Sequence, residues 1–106
     1  MIKKLIKVGE IYWINFDPTI GTEINKIRLA LIIFVSVNRV IALPITSNVQ
    51  LTNSWQLVIK GLVKEKDGKI LFDQIRSFDK QRLFRKIGVI KEIEIIKQIL
   101  RKMLSL

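Results

Sequence analysis

The chain has 106 residues, 49% of them apolar, which supplies one hydrophobic core and a single domain over residues 1–106. It contains neither Cys nor His. That excludes His acid/base chemistry, a Ser-His-Asp triad, thiolate nucleophiles, disulfides and Cys/His zinc sites. Any metal would have to be a hard cation on some of the nine carboxylates, and no cofactor is expected. Nineteen Lys and Arg against those nine give a net charge of +10, which points to a polyanionic partner, nucleic acid first.

In chain order, Ile11–Phe16 is aromatic and β-branched and reads as a strand. Asp17, Pro18 and Gly21 then open a loop reaching to about Arg28. Leu29–Val37 is apolar on both faces, as a central strand would be, and Asn38 turns it into Val40–Ile45 to form a hairpin. Thr46–Ser54 is a polar loop, Gln56–Ile59 a short strand, Lys64–Gly68 a solvated turn and Lys69–Ile75 a further strand. Asp79–Arg82 reads as a helical turn and Lys86–Val89 as a last strand. From Lys91 the period changes, and Ile93, Ile96, Ile99, Leu100 and Met103 fall on one face of a helix that packs on the sheet or on a partner subunit. The expected fold is mainly β (α+β): an SH3-like, strongly bent antiparallel barrel with a C-terminal helix. The longest apolar run, Leu29–Val35, is far short of the roughly 18 residues that cross a bilayer, and the N-terminus shows no signal-peptide pattern. A cytoplasmic protein with no membrane partner is expected.

Three segments can carry chemistry. The loop before the second strand holds Glu23, Lys26 and Arg28, either solvating the surface or forming a site between two rigid strands. At the end of the third strand, Pro44-Ile45-Thr46-Ser47-Asn48 offers hydroxyls and an amide that suit phosphate oxygens or base edges, or that cap their own backbone. In Asp73–Asp79, alternation sets Gln74 and Arg76 on one side and Asp73, Ile75 and Ser77 on the other. Gln74 with Arg76 can read bases and hold a phosphate, while Asp73 can equally pair with Arg76 or Arg82.

Together these segments resemble the MazF/PemK family of toxin endoribonucleases. The resemblance runs through Gly9-Glu10-Ile11-Tyr12-Trp13, Phe16-Asp17-Pro18, and Gly21-Thr22-Glu23 with Lys26 and Arg28. It continues through Pro44-Ile45-Thr46-Ser47, Asp73-Gln74-Ile75-Arg76-Ser77 with Asp79, and Arg82-Leu83 ahead of Lys86-Ile87-Gly88. It spans about residues 7 to 104. Leu29 stands where the family usually has Pro after the arginine, and the connection to Pro44 is shorter than in many members.

The resemblance implies an SH3-like barrel, a homodimer, an acidic antitoxin partner, and sequence-selective, metal-independent cleavage of single-stranded RNA. RNA carries its own nucleophile in the 2′-hydroxyl, so a chain without His, Cys or metal suits the reaction. Mapped by the resemblance, Arg28 stabilises the phosphorane-like transition state and Thr46 donates to the same phosphate. Glu23 is the first choice for the base and Asp73 the alternative. Lys26, Ser47, Asn48, Asp73, Gln74 and Arg76 are the candidate RNA-binding residues, and Trp13 and Trp55 the candidate anchors for an antitoxin peptide. The competing reading is a basic SH3-like module that binds RNA or protein without cutting.

Overall fold

In the computed structural model, which describes residues 5–16, 27–50 and 52–105, the apolar segments become strands that curl around two apolar clusters. The strands are β1 (Glu10–Asn15), β2 (Ile27–Val35), β3 (Arg39–Thr46), β4 (Gln56–Val63), β5 (Lys66–Leu71), β6 (Arg76–Asp79) and β7 (Leu83–Val89), and the helix is α1 (Ile93–Leu104). They form one antiparallel sheet in the order β4-β5-β3-β2-β1-β7. The two halves of β3 take different neighbours: Arg39–Ala42 pairs with β6 and Ile45–Thr46 with β5. Register shifts in β1·β7, β2·β3 and β4·β5 bend the strands. The result is a curled antiparallel half-barrel with one C-terminal helix, the strongly bent form expected from sequence.

Central β2 is buried on both faces at Ala30, Leu31 and Ile32, as its unbroken apolar run requires. The even-numbered face joins Ile14, Ala30, Ile32, Ala42 and Phe78 in a first cluster. The odd-numbered face joins Ile11, Leu31, Leu43, Ile45 and Ile70 in a second, on which Ile93, Ile96, Ile99, Leu100 and Met103 of α1 pack. The helix therefore covers the sheet of its own chain.

Three expectations are corrected. The solvated turn is narrower than Lys64–Gly68: only Lys64 and Glu65, both with positive φ, make the reversal, and Lys66 already opens β5. The strand expected over Lys69–Ile75 stops at Leu71, because Phe72 turns into the second cluster, fully buried, with its N–H bonded to the Trp55 carbonyl. Phe72–Gln74 is a 3₁₀ turn, so strand alternation does not govern Asp73 and Gln74. The helical turn expected at Asp79–Arg82 is a 3₁₀ turn over Lys80–Arg82, capped by the Asp79 carboxylate on the N–H of Gln81 at 2.8 Å.

Candidate nucleic-acid groove

Antiparallel pairing of β2 with β3 matches Leu29 with Ile45, so the N-terminal end of β2 and the C-terminal end of β3 emerge side by side. Arg28 stands at the first end, Thr46 and Ser47 at the second. All three line one groove of about 420 Å³, with Trp13, Ile27 and Pro44 among its other walls. Residues 18 apart in sequence thus share a site because a hairpin returns one strand end to the other. The Thr46 hydroxyl accepts the Asn48 N–H at 3.2 Å, which leaves its own proton to donate into the groove.

Arg28 also borders a neighbouring recess of about 340 Å³ with Phe16, Pro44, Gln74, Ile75 and Arg76. The aromatic ring of Phe16, buried at the end of β1, lies under both cations. Its centroid is 6.0 Å from the Arg28 guanidinium and 5.7 Å from that of Arg76. Arg76 stands in addition 4.8 Å over Phe78, whose ring meets Phe16 edge to face at 4.6 Å. One N–H of Arg76 is donated to the Phe16 carbonyl at 3.1 Å, and Arg82 likewise holds the Asn15 carbonyl at 3.2 Å. Arg76 is thereby oriented from below while remaining exposed toward the recess.

The structure brings together Arg28, Thr46, Ser47, Gln74 and Arg76 around two recesses that meet at Arg28 and Pro44. Asn48 is used locally: its backbone N–H goes to the Thr46 hydroxyl and its side-chain Oδ1 accepts the Gln50 N–H, and it is not among the groove walls. Asp73 is exposed on the 3₁₀ turn, one residue from the wall residue Gln74, while Arg76 makes its bond to the Phe16 carbonyl. Glu23 and Lys26, with the rest of the loop 17–26, lie outside the described residues. Of the two tryptophans, Trp13 is 36% exposed and forms groove wall, whereas Trp55 is half-buried against the second cluster and is not an exposed anchor. Phe16 as the support of two arginines was not legible from sequence, where the only signal is an aromatic residue ending a strand.

A second polar cluster lies in the Gly9–Trp13 motif. The buried Glu10 carboxylate accepts the Lys7 N–H at 2.8 Å and the Tyr12 hydroxyl at 3.3 Å, and pairs with Lys86 of β7 at 2.9 Å. Burial, the largest single influence, raises the Glu10 pKa. The Lys7 N–H, Lys86 and Tyr12 together outweigh it and hold the carboxyl below its ordinary value. Burial, and then the adjacent Glu10 charge, push the Tyr12 hydroxyl up. This cluster ties β1 to β7. Among the described residues no group of three or more Asp and Glu is placed to hold a metal ion, and no helix is long and apolar enough to cross a membrane.

Residues 7–104 match the family model described as PemK-like, MazF-like toxin of type II toxin-antitoxin system. The chain is 34% identical over 85 residues to Endoribonuclease EndoA of Bacillus subtilis (strain 168), covering 73% of each protein. Two solved structures share the fold. A MazF from Deinococcus radiodurans superposes with a TM-score of 0.75 at 21% identity, covering 98% of this chain and 100% of that one. An endoribonuclease in complex with its cognate antitoxin, from a mycobacterial species, gives 0.72 at 20% identity over 96% and 97%.

Proposed function

We propose, since the chain belongs to the family of PemK-like, MazF-like toxins of type II toxin-antitoxin systems, that it is an endoribonuclease cutting single-stranded RNA in the groove between Arg28 and Thr46. The observation that carries this reading is the convergence of Arg28, Thr46, Gln74 and Arg76 on two recesses that share Arg28. A cation and a hydroxyl donor on one wall, with a second cation on the same aromatic support, suit a phosphodiester whose charge grows during reaction.

In the reaction, the RNA 2′-oxygen attacks its own phosphorus and the bond to the 5′-oxygen breaks. The 2′-hydroxyl proton passes to a carboxylate and the leaving 5′-oxygen acquires a proton. The ends are a 2′,3′-cyclic phosphate and a 5′-hydroxyl. Arg28 stabilises charge on the phosphoryl oxygens and does not act as a literal acid, because a guanidinium does not readily give up its proton. Thr46 donates to the same phosphate. Glu23 is the first candidate for the base and Asp73 the alternative, and a carboxylate is a weak base toward a hydroxyl, so the rate is modest. Lys26, Ser47, Gln74 and Arg76 bind the flanking chain. No metal takes part. The protein works in the cytoplasm as a homodimer, and an acidic antitoxin segment silences it by occupying the basic groove.

The test is incubation of purified protein with a long RNA in excess EDTA, followed by mapping of the ends. Cleavage with cyclic phosphate and 5′-hydroxyl ends supports the reading. Cleavage that stops on chelation and returns with Mg²⁺ would replace it with a carboxylate–metal mechanism. RNA binding without any cut would leave a non-catalytic basic module.

A further inference from the structure

The groove does not end at Thr46. Trp13, Leu29, Ile45, Thr46 and Ser47 also wall an adjoining recess of about 270 Å³, and its far side is the β4–β5 hairpin end, with Val63, Lys64, Lys66 and Asp67. Its lining is mostly apolar and includes Trp13, together with two exposed lysines and an acceptor-only carboxylate. At about 270 Å³, close to the ~300 Å³ where small-ligand sites begin, it has room for a planar base.

The hairpin end is held in place by its backbone. Lys64 and Glu65 adopt φ of 47° and 67°, which sets a tight reversal. Gly68 crosses so close to the sheet that a β-carbon there would stand 2.9 Å from Leu62 and 3.1 Å from Ile45. The Asp67 carboxylate spans the hairpin, its Oδ1 accepting the Gly61 N–H at 3.0 Å, so Oδ2 is the oxygen that meets a ligand.

We infer that this recess is a base-selecting subsite. It takes one nucleobase of the RNA next to the phosphate held by Arg28 and Thr46, stacks it on Trp13, and favours a base presenting an amino group to Asp67. Cytosine, adenine and guanine carry such a group. Uracil instead sets carbonyl oxygens on either side of a single N–H and is repelled by the carboxylate. The exposed Lys64 and Lys66 neutralise the backbone phosphate that enters with the base. An acidic peptide fits less well, because its carboxylates would meet Asp67. The inference rests on the endoribonuclease reading of the same groove.

Asp67→Asn is the discriminating variant. Its side-chain oxygen still accepts the Gly61 N–H, while the second oxygen becomes a donor that matches uracil. End mapping on a random RNA pool should show that wild type disfavours uracil at one position beside the cut by about tenfold, and that Asp67→Asn removes or inverts this preference. An independent measurement uses uncleavable oligonucleotides, 2′-deoxy at the cut and varied at that base, titrated against Trp13 fluorescence in a Trp55→Phe background. The base ranking should change with Asp67→Asn in the same direction.

If base-dependent quenching follows Asp67 but no RNA is cut, the subsite stands and the endoribonuclease reading falls. If RNA is cut with the same base profile in both proteins, the subsite is overturned and the nuclease reading survives. Quenching by an acidic peptide but by no oligonucleotide would also overturn it and assign the recess to a protein partner.

Discussion

The two faces of the sheet are closed in different ways, and the groove draws on both. The first cluster is sealed by strands and aromatic rings, with Phe16 and Phe78 meeting edge to face beneath Arg76. The second is sealed by a helix and a hairpin, each joined to the sheet along one side. Arg28 rests on the first through Phe16, whereas Thr46, Ser47 and Trp13 open onto the second and its hairpin. The aromatic floor under the cations and the hairpin beside the hydroxyls would give the proposed charge stabilisation and base selection separate supports. Changes under the first cluster should therefore alter rate, and changes in the hairpin should alter which RNA is cut.

The largest expected effect comes from breaking the first cluster itself. Ile32, fully buried in central β2, should cost about 2–5 kcal/mol on truncation to Ala, because strands on both sides prevent collapse into the gap. Ile96→Ala, under the helix, should fall at the lower end of that range, since α1 can settle toward the sheet. Urea unfolding of the two variants measures the contrast, and equal losses would remove it.

Next comes the cation that the first cluster carries. Arg28→Ala should lower cleavage by roughly 10²-fold in single-turnover assays while far-UV circular dichroism stays unchanged, as loss of one charge stabiliser does in other enzymes. Full turnover in a folded variant would move the site. Phe16→Leu, which keeps an apolar filler but removes the ring under two guanidinium groups, should cost about tenfold, with Phe16→Tyr recovering most of it. A loss equal in the Leu and Tyr variants would show that packing alone is at work.

A smaller effect belongs to Thr46 on the second side. Thr46→Val removes the donated proton at nearly constant shape and should lower cleavage about tenfold, in kcat more than in KM. An unchanged kcat would remove Thr46 from the phosphate.

The smallest is a pH effect at the β1–β7 seam. The Glu10 pKa is lower folded than unfolded, so its contribution to stability is fully present above the ordinary value of 4.5 and is lost as pH falls through the folded value. The raised Tyr12 pKa acts at the other end: its contribution is fully present below the ordinary value of 10.0 and is lost as pH rises through the higher folded value. Melting temperature against pH should fall at both extremes, and Glu10→Gln should flatten the acid limb. An acid limb identical in that variant would place the titrating group elsewhere.

The sequence by itself determined the elements whose signals are local. Aromatic and β-branched content gave β1, apolar runs joined by a turn at Asn38 gave β2 and β3, the 3/4 spacing of Ile93, Ile96, Ile99, Leu100 and Met103 gave α1, and Asp79–Arg82 gave a helical turn. It also placed Arg28 and Thr46 in one site, but through likeness to a family, since nothing local in either segment refers to the other. Their meeting depends on the β2–β3 register. Tertiary structure alone decided that Lys69–Ile75 breaks at Phe72, because the demand to bury that ring overrides strand propensity. It alone set Phe16 beneath Arg28 and beneath Arg76, the latter 60 residues away and donating to the Phe16 carbonyl, and turned Asp67 toward the recess by a bond to Gly61. Such placements follow from long-range pairing and close packing, which short-range periodicity does not encode.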